Sequence, residues 1–554
     1  MVEQKFVAYI QDSFKRNWER PAFTDYGKEY RLTYRDAAHK IAQIHYIFDK
    51  IGIKRGDKIS ILGRNSSHWA VAYLASLSYG AVAVPILPDF KPTDVQHIVN
   101  HSDSVLLFAE NSLFDSVDES ELKDIRAVFS LDDLSLVSAQ KESTKKSVAE
   151  SGEKYPEWFD GDLTPDKLNF KDVKNDELAV ILYTSGTTGF SKGVMLPHNA
   201  LISNVLFIQQ NIPTKAGDHI LSFLPIAHVY GCAVDFLAPV CTGAHIHFLG
   251  KIPSPKILVE AFKKVKPVLM VSVPLILEKI YFKQIKPKIS KGAPKIMLKI
   301  PGLSSVVKKK VYKSLHESFG GNFYEVVIGG AGLNPEVEDF LAKINFPLTN
   351  GYGMTECAPL ISYTDYQKTA MRSVGRVVDR MEVKINSPDP ENEPGEILTR
   401  GENVMWGYYK NEEATKQVID EDGWLHTGDM GVMDKNGFIY IKGRYKSMLL
   451  GPSGKNIYPE EIEVKLNNMP YVSESIVLQH KDKLAALVHP DLVAADADKL
   501  TDDQLKDAME KNRKQLNNMN PGYMHVTHIK LFPEEFEKTP KKTVKRFLYT
   551  FPED

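Results

Sequence analysis

The chain has 554 residues, 43% hydrophobic and 25% charged, with a formal net charge of −2. That length allows more than one domain and a large core, and so balanced a charge gives no general reason to bind nucleic acid. Three cysteines, Cys232, Cys241 and Cys357, make neither a disulfide framework nor a metal spacing and suit a reducing compartment such as the cytoplasm.

The first residues carry Glu3, Lys5, Asp12, Lys15 and Arg16 and no uncharged apolar core, so no signal peptide is expected. Lys58 to Leu62 reads as a strand, followed by a helix around Trp69 to Leu77. The longest uncharged stretch, Asn65 to Pro88, contains Ser76, Ser78, Gly80 and Pro85. It reads as a helix up to Tyr79 and a strand from Ala81 to Leu87, not as a membrane span. Val105 to Ala109, Ala179 to Tyr183, His245 to Leu249 and Val268 to Val271 are further short apolar strands. Helical patterns between several of them predict parallel sheets with crossover helices. Ser116 to Lys174 is charged and weakly periodic and reads as a surface insertion with one strand, Ala127 to Phe129.

After Met381 the pattern changes to strands and turns: Glu382 to Ile385, Gly395 to Arg400 and Gly437 to Lys442. Gly443 to Lys446 is the candidate boundary. Beyond it come a helix at Pro459 to Asn467, strands at Val472 to Gln479 and Lys483 to Val488, and a helix at Asp502 to Leu516. The fold class is therefore α/β. A large N-terminal domain with mixed or parallel sheets (1–443) meets a small α+β C-terminal domain (447–554) at a hinge (444–446).

The most informative stretch follows the apolar run Leu178 to Leu182. Thr184 to Gly193 holds five hydroxylated residues, three glycines and Lys192. Glycines let backbone N–H groups converge on an anion, hydroxyls add donors, and lysine adds charge. This is the chemistry of a loop that grips a triphosphate. It is not the common P-loop, because the positions counted from Gly186 hold Ser191, Lys192 and Gly193.

The run Tyr183 to Val194 resembles the phosphate-binding signature of the acyl-adenylate-forming, or AMP-binding, enzymes, with Ser191 where that family usually has proline. Further blocks follow in the family's order. Pro225 to Gly231 resembles the block whose histidine, here His228, lies near the acyl pocket. Asn350 to Glu356 resembles the adenine and magnesium block, Gly423 to Asp429 the ribose block, and Gly443 to Lys446 the interdomain hinge. Gly454 to Glu463 follows the hinge as in the family. The resemblance runs from about Leu32 to Arg546. With Cys357 to Ser362 and Ser453 to Pro459, it is nearest to bacterial long-chain fatty-acyl-CoA ligases.

The resemblance implies ATP, magnesium and CoA as cofactors and co-substrates, and a fatty acid as the acid. Joining a carboxylic acid to a thiol needs activation, and attack of the carboxylate on the α-phosphate of ATP gives acyl-AMP and pyrophosphate. Thr184, Ser185, Gly186, Thr187, Thr188, Gly189 and Lys192 would hold phosphates. Glu356 would bind magnesium, with Thr184 as the second protein ligand by resemblance. Gly330, Ala331, Gly351, Tyr352 and Thr355 would form the adenine slot. Asp429 and Arg444 would hold the ribose.

One departure matters. The family's last block reads roughly Thr-Pro-Ser-Gly-Lys-x-x-Arg, and its lysine contacts the reacting groups. Here Thr543 stands at the lysine position, Lys542 precedes it and Lys545 follows two residues on. Lys542 is taken as the adenylation lysine. Two further readings stand beside the CoA ligase: transfer to a carrier-protein thiol, and a non-catalytic binder of acyl groups or nucleotides. Separately, Lys283 to Lys313 holds ten lysines and no acidic residue, interleaved with apolar side chains. It is either a peripheral membrane contact or a solvated basic surface.

Overall fold

The computed structural model describes residues 1–158, 162–184, 192–251, 253–290, 300, 302–450, 456–481, 483–539 and 544–552. The helix Ser67–Tyr79 organises the N-terminal part. Every one of its residues is buried. A helix apolar on all sides must be covered on all sides. Ser66 caps its start by accepting from the Trp69 N–H, and Gly80 ends it in the left-handed region. Two of its serines donate to their own helix, Ser76 to the Ala72 carbonyl at 2.8 Å and Ser78 to the Leu74 carbonyl at 2.6 Å, while Ser67 donates to Asp25 Oδ1 at 2.9 Å.

Around this helix two sheets share one core that includes Trp69, Tyr73, Phe23 and Phe236. The larger has eight strands. In spatial order they are Gly407–Tyr408, Lys192–Pro197, Leu178–Thr184, Val82–Ile86, Lys58–Leu62, Ser104–Ala109, Ala127–Ser130 and Leu136–Ala139. The five from Leu178–Thr184 to Ala127–Ser130 run parallel, and the flanking ones are antiparallel. The second sheet orders His219–Ser222, His245–Phe248, Pro21–Asp25 and Arg31–Thr33. A small parallel sheet of Leu269–Ser272, Glu325–Ile328 and Leu348–Asn350 has its own core with Phe262 and Phe319. An antiparallel sheet follows: Met381–Asn386, Gly395–Gly401, Leu425–Met433 and Ile439–Arg444. The expected α/β class with mixed sheets is what the chain adopts.

The segment Ser116 to Lys174 departs from its reading as an insertion with one strand. It supplies two edge strands of the large sheet and a helix, Glu142–Trp158, laid against the helix Tyr34–Lys50. The helix meets the main core through Val148, too narrow a stripe to show as periodicity.

The C-terminal elements pack on a separate core with Ile462, Leu466, Val477 and Leu516. The helix Pro459–Leu466 lies against a sheet of Val472–His480, Lys483–Pro490 and Val526–Leu531. Arg546 forks onto buried Glu463, with both nitrogen–oxygen distances at 2.6 Å, and ties the chain's end to this helix. Of the basic run, Lys286 pairs with Glu336 and Lys313 with Glu317, while Leu303 and Val306 on the helix Leu303–Ser318 are exposed. Among the described residues no helix is long and apolar enough to cross a membrane.

Candidate active site

The ends of the phosphate run face each other. Leu178–Thr184 and Lys192–Pro197 are an antiparallel pair whose last register is Thr184 opposite Lys192. Residues so paired lie about 5 Å apart. The stretch is therefore the connection of a strand pair, not the strand-to-helix turn of a P-loop. Ser185, Gly186, Thr187, Thr188 and Gly189 lie outside the described residues. Beside this mouth the Lys192 ammonium sits 4.8 Å from the centre of the Tyr408 ring. The same Tyr408 donates its hydroxyl to Glu356 Oε1 at 3.0 Å. The Met405 N–H donates to the Glu356 carbonyl at 2.8 Å, so the backbone is stitched at the same place. Tyr408 thus joins the loop's lysine to the expected magnesium ligand. It was missed in the sequence, where its only signal is the aromatic run Trp406-Gly407-Tyr408-Tyr409.

The adenine-slot residues come from the carboxyl ends of two neighbouring parallel strands, where open α/β sheets hold ligands. Gly330 and Ala331 follow Glu325–Ile328, and Gly351 follows Leu348–Asn350. The Gly351 N–H donates to the Ile328 carbonyl at 2.8 Å, fastening one end to the other. Gly330 has φ +86°, a conformation that suits glycine. Tyr230, also unread in the sequence, braces this turn by donating to the Val327 carbonyl at 3.1 Å. Thr355 is buried and opens the short turn that carries Glu356. His228 is half-buried, and its Nδ1 accepts from the Tyr230 N–H at 3.3 Å, so part of its work is to cap the turn that positions Tyr230.

Asp429 is 5% exposed. Tyr352 donates to its Oδ2 at 2.7 Å, and Arg444 Nε lies 3.0 Å from its Oδ1. Burial pushes the Asp429 carboxyl up from its ordinary value, while Arg444 and Tyr352 pull it back. Each carboxylate oxygen accepts about two hydrogen bonds, so both keep capacity for a vicinal diol. Tyr352, Asp429 and Arg444 are thereby brought together, and the charge of Glu356 is felt at Arg444. Arg444 ends the strand Ile439–Arg444, one residue after Gly443. A Cβ on Gly443 would stand 2.7 Å from the Tyr458 Cβ, so only glycine allows this approach of the C-terminal segment.

At the C-terminus Lys542 and Thr543 lie outside the described residues. The flanks are defined: Lys538 bridges to Val544, and Lys545 Nζ pairs with Glu537 Oε1 at 2.5 Å.

A family model described as "AMP-binding enzyme" matches residues 10–409. The chain belongs to this AMP-binding, acyl-adenylate-forming family. It is 27% identical to the long-chain-fatty-acid–CoA ligase FadD15 of Mycobacterium tuberculosis, over 93% of this chain and 90% of that protein. It is 30% identical to a probable CoA ligase, CCL5, of Humulus lupulus, over 84% and 79%. Its fold matches O-succinylbenzoate coenzyme A synthetase (MenE) of Bacillus subtilis in complex with ATP and magnesium, with a TM-score of 0.73, 19% identity, and 97% and 98% of the two chains covered. The chemistry is that of an adenylate-forming acid–thiol ligase.

A small apolar void lies in the core next to the strand that precedes the phosphate run. Val180 and Leu182 wall it from the strand before the phosphate run, Val229 and Cys232 from the His228 segment, and Ala358 from just past Glu356. The wall at Cys232–Leu237 is π-helical, a distortion frequent at functional sites. This turn buries Asp235 at 1% exposure, and its Oδ2 has no partner among the described residues. Desolvation pushes the Asp235 carboxyl well above the usual range.

The sign of the consequence follows. The unfolded chain loses this proton near pH 4, while the folded chain keeps it, so the group costs progressively more stability as pH rises above about 4. Asp235→Asn removes the proton exchange. Thermal unfolding of both proteins between pH 4 and 7.5 is expected to show the variant gaining on the parent as pH rises. A difference that stays constant across that range would mean that Asp235 is ionised in the folded state.

Proposed function

We propose that the protein activates a fatty acid with ATP to acyl-AMP and then passes the acyl group to the thiol of CoA, releasing AMP and pyrophosphate. The observation that carries this reading is the gathering of Lys192 and Glu356 at Tyr408, beside Thr184 and the mouth of the phosphate run. In this reading Lys192 and the hydroxyl-rich loop hold the β- and γ-phosphates. Gly330, Ala331, Gly351 and Tyr352 take the adenine, and Asp429 accepts from the ribose hydroxyls while Arg444 donates on the same side. His228 faces the acyl carboxylate. The likeness to a long-chain-fatty-acid–CoA ligase supports a fatty acid as the acid.

The residues present fit a magnesium ion. Among the described residues no lysine or arginine forms an ion pair with Glu356, whose one described side-chain partner is the Tyr408 hydroxyl. A carboxylate with so little compensation suits a hard cation that takes its remaining ligands from water and phosphate. Bound there, the ion would offset triphosphate charge. Glu356 and Thr184 would hold it.

Acid-dependent ATP–pyrophosphate exchange without CoA tests the reading. Exchange is expected with long-chain acids, and Glu356→Gln is expected to lower it about a hundredfold with the melting temperature unchanged. Absence of exchange with every acid from short to long chain would favour the non-catalytic reading. Exchange followed by transfer only to a carrier protein would replace CoA as acceptor.

The C-terminal domain, residues 447–554, is proposed to turn about 444–446 between the two half-reactions, since hinges concentrate dihedral change in a few residues. Lys446 is exposed in the short turn Tyr445–Ser447. With Lys545 held by Glu537, Lys542 is the candidate to bring charge to the α-phosphate. Two variants then separate the half-reactions. Lys542→Ala is expected to lose adenylation while thioester formation from supplied acyl-AMP persists. Lys446→Pro is expected to do the reverse, because proline fixes φ at the pivot. Equal loss of both half-reactions in either variant would count against that residue's role.

A further inference from the structure

Three histidines stand together on the second sheet, away from the nucleotide residues. His219 and His245 are opposite each other on neighbouring parallel strands. His247, two residues along, projects from the same face. On that face Leu221 and Leu249 join the core beneath the small parallel sheet, while Ile220, Ile246 and Phe248 point into the main core. One ligand atom from each of His219, His245 and His247 lies within 4.8 Å of the others. His219 Nδ1 and His247 Nε2 are 2.8 Å apart. The Thr24 hydroxyl, on the strand at the other side, is 2.8 Å from His245 Nε2 and fixes that ring.

We propose that His219, His245 and His247 form a binding site for a divalent transition ion of the zinc type, with a solvent-facing fourth position. Zinc binds imidazole nitrogen at about 2.0–2.1 Å, so three nitrogens around it sit roughly 3.4 Å apart. The rings need only small rotations to reach this from their present spacing. Imidazole nitrogens without carboxylates or thiolates select zinc, nickel or copper over magnesium or calcium. A hydrogen bond that orients one ring, as Thr24 supplies, is the usual support of such ligands.

Other charges face the cluster. Arg31 is a neighbour on the strand Arg31–Thr33, Lys264 comes from the helix Pro255–Val265, and Asp218 adjoins His219. The two cations oppose a dication and the one carboxylate favours it. The affinity is therefore lower than that of closed zinc sites. An ion here would tie His219–Ser222 to His245–Phe248 just ahead of the Pro225 to Gly231 block.

Zinc titration of the full-length, untagged, chelator-treated protein by calorimetry tests the site, with cobalt absorption as a second readout of coordination. One ion per chain is expected, with a tetrahedral cobalt spectrum. Loss of an outer-shell partner alone weakens such sites about 10–100-fold, so removal of a direct ligand must cost at least tenfold. His219→Asn, at an exposed position, is expected to show that loss, and His219→Asn with His247→Gln to abolish binding. Should the double variant fail to fold, the single variant decides. No zinc uptake by the parent, or uptake unchanged in His219→Asn, overturns the proposal.

Discussion

The buried carboxylate of Asp429 is the constraint on which the site's arrangement rests. An ionised group out of water is tolerated only when paired and hydrogen-bonded. Its partners come from two directions: Tyr352, in the short strand Tyr352–Gly353, and Arg444, at the last residue of the antiparallel sheet. The pairing Asp429 opposite Arg444 is itself a strand register. Backbone geometry and charge therefore specify the same arrangement, and Tyr352 cannot be placed without also placing Arg444. Gly443, pressed against Tyr458, carries that coupling into the C-terminal elements.

A second constraint fixes the phosphate end. Thr184 and Lys192 are held opposite each other by an antiparallel ladder, and Tyr408 reaches in from the sheet's outer strand to touch both Lys192 and Glu356. Lysine and glutamate are kept apart by an aromatic ring instead of being allowed to neutralise each other. In the proposed function Lys192 serves a phosphate and Glu356 a cation.

Much of this was legible in the sequence, for physical reasons that differ by region. Short apolar strands such as Lys58–Leu62 and Leu178–Thr184 announce themselves because parallel strands are buried on both faces. The site blocks were legible because glycine, hydroxyl and charged residues at fixed spacing have few other uses. The edge strand Leu136–Ala139 and the helix Glu142–Trp158 were not, since solvated elements carry little periodicity. Tyr408 and Tyr230 were not, because their partners lie 52 and 97 residues away and an aromatic residue alone names no partner. The histidine cluster was invisible because its members sit on two strands joined only by sheet pairing.

The central claim is that Asp429 and Arg444 act as one unit in adenylation. A double-mutant cycle of Asp429→Asn and Arg444→Ala, read as kcat/KM for acid-dependent ATP–pyrophosphate exchange, tests it most directly. The account predicts that the two losses are strongly non-additive, with a coupling energy of about 0.5–3 kcal/mol. Losses that add to within about 0.3–0.5 kcal/mol would contradict it, and would leave the carboxylate and the guanidinium as independent contacts.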